Sequence, residues 1–160
     1  MAWQDEMVPI LRHLIDDTAE TKTYTDSMLE NIIVVAAQLS TVEISFDNDY
    51  MIDVTQMSIS PDPTAGTRDN AFIALISLKA ACLTLKAEAK ASAGESIRVT
   101  DGPSTIDTTS RSTMRIERSK DMCEQYAKAK QQHLAGNARF VAAILGPYTN
   151  DSVTPIPWNF

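Results

Sequence analysis

The sequence predicts a mainly α-helical fold: a small helical bundle with a projecting β-hairpin and an extended C-terminal tail. Three observations predict it: an apolar stretch without Gly or Pro at residues 69–92, an Asp-Gly pair between two alternating segments near residues 96–107, and an ending rich in Pro and aromatic residues. With 160 residues, 44% of them hydrophobic, the chain can bury the core of one domain. We therefore assign residues 1–147 to a helical domain and residues 148–160 to the tail.

The stretch at residues 69–92 is predicted to be the central buried helix. Phe72, Leu75, Ile76 and Leu83 follow the spacing of one helical face, and apolar or small residues occupy much of the other side. Thr67 or Asp69 can cap its start, and Gly94 can take the left-handed conformation at its end. A helix that is apolar on most sides must be covered on most sides.

Three further helices are predicted around it. The first covers residues 3–17, with Pro9 placed near its first turn, where proline is tolerated. The second begins after Thr25 as N-cap, and the third covers residues 110–134. The expected inner faces are Val8, Leu11, Leu14 and Ile15 in the first; Met28, Leu29, Ile32, Ile33, Ala36, Leu39 and Val42 or Glu43 in the second; and Met122, Tyr126, Ala129 and His133 in the third.

The third of these helices is so polar that we expect it to pack partly on a neighbouring molecule. Its other faces are charged, and a long helix in water depends on tertiary packing of an apolar face. The small side chains Ala127, Ala129 and Ala135 are the expected contact.

Two segments have the alternation of β-strands. Tyr50, Ile52 and Val54 alternate with Met51, Asp53 and Thr55 in a strand segment that Pro61 and Pro63 end. The second segment is a hairpin whose turn is predicted at Asp101 and Gly102. Two strands alone are marginal in water, so the hairpin must contact helices or another chain. The residues expected to make that contact are Arg98, Asp101, Gly102 and Pro103.

Charge is unevenly distributed along the chain. The net charge is −7, but residues 1–66 hold twelve acids and two bases, whereas residues 67–160 hold nine acids and twelve bases. A net negative charge argues against a protein that wraps nucleic acid. The asymmetry is compatible with a head-to-tail contact between copies, although two differently solvated faces would give the same pattern.

The sequence favours neither an enzyme nor a membrane protein. No glycine loop for phosphate, no serine elbow and no metal-ligand spacing occur, so no cofactor, metal or catalytic residue is expected. Cys82 and Cys123 are interpreted as reduced, structural thiols of a cytoplasmic protein. No apolar run approaches the length of a membrane span, and the sequence lacks a basic signal-peptide start.

Five segments follow one another along the chain: Tyr24, Thr25, Asp26, Met28 and Leu29; SISPDP at 58–63; LKAAC at 78–82; SAGESIRVTDGPSTID at 92–107; and ILGP at 144–147. Taken in order, they resemble the phage head-to-tail connector (adaptor) proteins that form a ring under the portal. The resemblance covers roughly residues 24–147. No single segment is diagnostic, so their order and spacing carry the resemblance.

The resemblance implies a structural protein of the virion neck, assembled in the host cytoplasm. It further implies a dodecameric ring between the portal protein and the tail or nozzle proteins, with a central channel through which genomic DNA passes without specific binding. A non-virion helical adaptor or regulator remains the alternative, and an unrecognised hydrolase is a weaker one. Neighbouring genes that encode a portal and a capsid protein would favour the connector over the non-virion adaptor.

The ending of the chain is unusual for a free tail. Two prolines favour an extended, stiff segment, and disordered tails are normally poor in large aromatic residues. We predict a docking peptide for the portal or a neighbouring copy, formed by Pro155, Ile156, Pro157, Trp158 and Phe160.

Overall fold

A computed structural model of the chain describes residues 2–94, 98–101, 104–107 and 109–137. These residues form four helices and two small antiparallel sheets, which confirms the predicted mainly helical fold with a hairpin. The elements, in chain order, are α1 (Trp3–Ile15), α2 (Asp26–Glu43), β1 (Met51–Asp53), β2 (Ser58–Ser60), α3 (Asn70–Gly94), β3 (Arg98–Asp101), β4 (Ser104–Asp107) and α4 (Thr109–Asn137).

Helix α3 is the centre of the bundle, as predicted, and α1, α2 and α4 all pack against it. Its start is capped by Asp69, whose Oδ1 accepts a hydrogen bond of 2.9 Å from the backbone N–H of Phe72. Its end differs from the prediction, because Gly94 remains within the helix and does not adopt a left-handed conformation. The backbone at position 94 therefore does not require glycine.

Helix α1 buries the predicted face, with Val8, Leu11 and Ile15 in the core and Leu14 half-buried. Pro9 is the seventh residue of the helix and lies in its interior, so its expected position in the first turn is wrong. A proline there cannot donate to the carbonyl four residues earlier, and that bond is lost. The side chain of Pro9 faces solvent, which keeps its ring out of the core.

Helix α2 is capped by Thr25, as predicted, since its Oγ1 accepts a hydrogen bond of 3.3 Å from the backbone N–H of Met28. Its buried face, however, is rotated from the predicted one. The core contains Leu29, Ile33, Val34, Ala36, Ala37 and Ser40, whereas the predicted inner residues Met28, Leu39 and Val42 are exposed. Small residues turned inward let helices approach closely, so the face with two alanines and a serine packs in the core.

The predicted first strand segment is a hairpin of two short strands. Met51 pairs with Ser60, and Asp53 pairs with Ser58. The turn between them is closed by the carboxylate of Asp53, which accepts hydrogen bonds from the backbone N–H groups of Thr55 and Gln56 at 2.8 and 3.0 Å. An Asx turn of this kind explains why pairing stops at Asp53.

The second hairpin, β3–β4, forms where it was predicted but closes later than expected. Asp101 pairs with Ser104, so the two connecting residues are 102 and 103 and the turn is not centred on Asp101 and Gly102. A proline at position 103 cannot donate a hydrogen bond to the strand ladder, which favours placing it in the connection.

Helix α4 packs along α3, and a disulfide bond joins Cys123 of α4 to Cys82 of α3. The interpretation of these cysteines as reduced thiols is therefore wrong. The predicted stripe of α4 does face inward, with Tyr126 buried and Met122, Ala129 and His133 half-buried. Ala127 and Ala135 are exposed, so α4 gains its cover from α3 without using that flank.

Helix α3 is long and apolar enough to cross a membrane by length and composition alone, so the sequence-based judgement on apolar runs was too strict. Of its most apolar window, 56% is buried by the rest of the protein, as is common for the core helix of a soluble bundle. A single helix of this length and composition is weak evidence for a membrane segment.

Candidate interaction surface

An apolar stripe on α2 is the most conspicuous uncovered surface among the described residues. We define the α2 stripe as five large apolar residues that succeed one another at alternating intervals of four and three: Met28, Ile32, Val35, Leu39 and Val42. Met28, Leu39 and Val42 have exposed fractions of 51, 44 and 84%. This spacing puts all five on one face of the helix, as in the seam of a coiled coil.

A groove between α2 and α3 runs beside the stripe. Its volume is about 280 Å³, and its walls are Asn31, Ile32, Val35, Leu39, Leu83, Thr84 and Ala87. The hydroxyl of Thr84 donates a 2.9 Å hydrogen bond to the carbonyl of Ala80 within its own helix, so it does not offer that proton to a ligand. The groove suits an apolar side chain better than a polar ligand.

The flank of the stripe that faces away from the core is polar but uncharged. It consists of Ser27, Asn31 and Gln38, which are exposed. The charged residues of α2 are Asp26, Glu30 and Glu43, and Glu43, at one end of the stripe, is paired with Lys79 and Lys130. The middle of the stripe has no charge on this flank and can be desolvated without the cost of burying an ion.

Glu43 lies at one end of the stripe, directly after Val42, and its side chain joins α2 to α3 and α4. Its carboxylate accepts hydrogen bonds from Lys79 of α3 at 2.7 Å and from Tyr126 and Lys130 of α4, both at 3.0 Å. These donors, with Lys79 the strongest, lower the pKa of Glu43 to about 2. Nζ of Lys79 also lies 4.7 Å from the centre of the Tyr126 ring, a cation–π contact.

At the other end of α2, the buried Arg12 joins α1 to the connector and to α2. Its guanidinium donates to Asp17 at 2.6 Å, to the carbonyl of Tyr24 at 2.9 Å and to Asp26 at 2.5 Å. Backbone N–H groups, foremost that of Thr23, lower the pKa of Asp17 against the raising effect of burial, and Arg12 adds to this effect.

An open polar cleft of about 450 Å³ lies above this network, lined in part by Gln4, Asp5, Pro9 and Lys22. Arg12 is its buried cation, and both terminal nitrogens of its guanidinium already have acceptors within the protein. The cleft is therefore built around an internal ion pair, which leaves Arg12 little capacity for an external anion. We assign the network a structural role.

Two of the four residues predicted for the hairpin contact, Arg98 and Asp101, lie among the described residues. Arg98 and Asp101 are the first and last residues of β3, opposite Asp107 and Ser104. Gly102 and Pro103 lie outside the described residues. The backbone pairing thus puts Arg98 at the base of the hairpin and Asp101 at its tip, so they do not form one local site.

The predicted docking peptide, Pro155, Ile156, Pro157, Trp158 and Phe160, lies outside the residues that the structure describes, and so does the whole tail 148–160. Among the described residues, no three His, Cys, Asp or Glu side chains gather in a way that could hold a metal ion.

The α2 stripe was not recognised as a site in the sequence, although its residues were noted as apolar. The sequence pattern places Met28, Ile32, Leu39 and Val42 in the core and leaves Val35 unassigned, because α2 carries two apolar rows and only packing decides which one is buried. The four-three spacing of the outer row was the available signal.

Comparisons of the chain with protein-family models, with curated proteins and with solved structures find no match.

Proposed function

We propose that the chain is a head-to-tail adaptor of a phage neck, a structural protein that forms a ring between the portal and the tail and lines the DNA channel. Support comes first from the ordered sequence segments that resemble this family. The proposal requires self-association, a portal contact and a surface that lets DNA pass.

The observation that carries most of the proposal is the β3–β4 hairpin. It connects the two longest helices, α3 and α4, and among the described strands β3 and β4 pair only with each other. Its sequence lies within the longest of the segments that carry the resemblance, residues 92–107. An isolated pair of strands gains stability by packing on another surface, and in a ring a neighbouring subunit offers one.

Charge is consistent with both the ring and the channel. The acidic first part of the chain and the second part, where bases outnumber acids, allow a heterologous contact between neighbours. In such a contact unlike surfaces meet, and a ring closes when the rotation permits. The net charge of −7 disfavours tight binding to phosphates, as suits a channel wall.

The proposal is tested in the phage that encodes the chain. Deleting the gene is expected to give heads packed with DNA but without tails, seen by electron microscopy of the lysate. The purified protein, mixed with the portal protein encoded by the same genome, is expected to add a ring of density to the portal in cryo-EM class averages.

Supplying the intact gene from a plasmid is the control for the deletion and should restore tailed particles. Tailed, infectious particles without the gene, or a portal that gains no density at a large excess of the protein, would contradict the proposal and favour a non-virion adaptor.

A further inference from the structure

The α2 stripe is a continuous row of five large apolar residues on one helical face, of which Met28, Leu39 and Val42 are exposed. Scattered apolar residues are normal on a protein, but a contiguous apolar patch rimmed by polar residues marks a contact site. The described residues leave Met28, Leu39 and Val42 uncovered. An occupant of the stripe would therefore come from outside the described residues, either from another part of this chain or from another molecule.

The end of α4 lies close to the stripe. Tyr126 and Lys130 both bond to Glu43, the residue after Val42. Helix α2 runs antiparallel to α3, because Lys79 contacts Glu43 at the end of α2 while Glu88 contacts Tyr24 just before its start. Helix α4 is also antiparallel to α3, because Lys79 contacts Tyr126 while the later Cys82 is bonded to the earlier Cys123. Helices α2 and α4 are thus parallel to each other. Because Lys130 contacts Glu43 and α4 ends at Asn137, the end of α4 lies about 10 Å beyond Glu43, at a rise of about 1.5 Å per residue.

The sequence directly after α4 supplies an apolar complement. Gly136 and Asn137, residues suited to a change of direction, are followed after two positions by the six-residue apolar run 140–145. The three residues from Asn137 to Phe140 reach back about 10 Å when extended, at about 3.3 Å each. The run would then lie antiparallel to α2 and beside Val42, Leu39 and Val35, which span about 10 Å of helix.

Electrostatics favour this segment over a second copy of α2. Pairing two copies through α2 would bring together two helices that each carry three acids, Asp26, Glu30 and Glu43, and no base. The 23 residues from 138 to 160 carry only Arg139 and Asp151, one charge of each sign. Their approach to the stripe is not opposed by charge.

We infer that the α2 stripe is the docking surface for the apolar run 140–145 of the same molecule. Phe140, Ile144 and Leu145 supply the large side chains, and the groove between α2 and α3 receives one of them. This intramolecular contact does not depend on the proposed virion function, and it is tested on the purified protein without any phage component.

Cross-linking identifies the occupant directly. Leu39 is replaced in the full chain by a photo-cross-linking phenylalanine analogue, and ¹⁵N-labelled and unlabelled protein are mixed in equal amounts before irradiation. Mass spectrometry should find residue 39 joined to peptides containing 140–145, with both halves of each pair carrying the same label. Pairs with mixed labels would show a second copy on the stripe and overturn the inference, as would cross-links confined to 155–160 or an absence of cross-links.

Point variants measure the same contact by a second readout. Leu39→Asp and Ile144→Asp should each raise the fluorescence of a hydrophobic dye severalfold, and the double variant should raise it no further than the larger single effect. Gln38→Asp, off the stripe, and Val153→Asp, beyond the run, are the matched controls and should leave it unchanged. Circular dichroism checks that each variant folds. An Ile144→Asp protein with parental dye fluorescence would overturn the inference, whatever Leu39→Asp does.

Discussion

Nζ of Lys79 in α3 lies 2.7 Å from the carboxylate of Glu43, the last residue of α2, and the same carboxylate accepts from Tyr126 and Lys130 of α4. Three of the four helices are thereby joined at one residue. Because the side chain of Glu43 is about one-third exposed, solvent screens these bonds, and the contribution is smaller than for a buried group.

Glu43→Gln is expected to reduce the free energy of unfolding at pH 7 by about 1 kcal/mol, after allowance for solvent screening. The pKa of Glu43 is lowered from 4.5 to about 2, so its contribution is fully present above pH 4.5 and is lost as the pH falls from 4.5 towards 2. Urea titrations at pH 7 and pH 3 measure this. The variant should lose less stability than the parent over that interval.

Glu30→Gln is the matched control for Glu43→Gln, since Glu30 lies on the same helix without an ion pair to a described residue. It should be nearly neutral at pH 7. Equal effects of the two substitutions would mean that overall charge, and not the contact with Lys79, governs stability.

Arg12→Met is expected to cost about 3 kcal/mol of unfolding free energy, because it leaves the buried carboxylate of Asp17 without its cation. The methionine keeps the apolar stem of the side chain, so the loss reports the polar contacts. Denaturant unfolding measures it. Arg68→Met removes an exposed ion pair with Glu6 and should cost less than about 1 kcal/mol; a similar loss from both variants would refute the importance of burial.

The disulfide between Cys82 and Cys123 encloses a sequence separation of 41 residues. Such a cross-link restricts the unfolded chain and is expected to contribute about 2–4 kcal/mol. Protein unfolded without reductant should gain no mass from iodoacetamide, whereas reduced protein should gain two adducts and melt at a lower temperature. Two adducts without reductant would restore the interpretation of these residues as free thiols.

Gly102→Val is expected to leave the helices folded but to impair ring or tail assembly. Glycine in the tight hairpin connection allows backbone conformations that a β-branched residue adopts at high cost. Circular dichroism of the variant and the titre of phage carrying it measure the two effects. Gly94→Ala is the control, because a Cβ at Gly94 meets no atom within 4 Å and no positive φ is required there; infectivity equal to the parent's in both variants would make the hairpin dispensable.

Deleting residues 153–160 is expected to leave the melting temperature nearly unchanged and to abolish binding to the portal. The deleted segment contains Ile156, Trp158 and Phe160, which can enter pockets on a partner, and its prolines reduce the entropy lost on ordering. Calorimetry and a pull-down with the portal protein measure the two effects. Trp158→Ala should weaken binding in the same direction, whereas a large fall in melting temperature would assign the tail to its own domain's core.

The sequence predicted α3 well because its signal is local. Residues 69–92 contain no helix breaker, and Asp69 provides the cap that the structure uses. The second hairpin was also located by its local turn residues, whereas the first was predicted only as a strand segment. The registers were not predicted, since Asp53 closes one turn through its side chain and Asp101 pairs with Ser104 in the other.

Long-range contacts were beyond the reach of the sequence. Either apolar row of α2 could have faced α3, and the choice of the row with Ala36, Ala37 and Ser40 depends on how closely the helices pack. The same holds for Cys82 and Cys123, which lie in separate helices and whose pairing follows only from the antiparallel packing of α3 and α4. The α2 stripe emerged as a candidate site only when that packing was known.

The start of α1 depends on a residue made much later during translation. The backbone N–H of Trp3 donates to the carboxylate of Asp62 at 3.1 Å, across 59 positions of sequence. At synthesis rates of about 5–20 residues per second, Asp62 is added about 3–12 s after Trp3. Until then, the first helix lacks both this partner and the α3 surface that buries it. In a nascent chain, the apolar face of α1, including Trp3 and Leu11, therefore stays uncovered until α3 has been made.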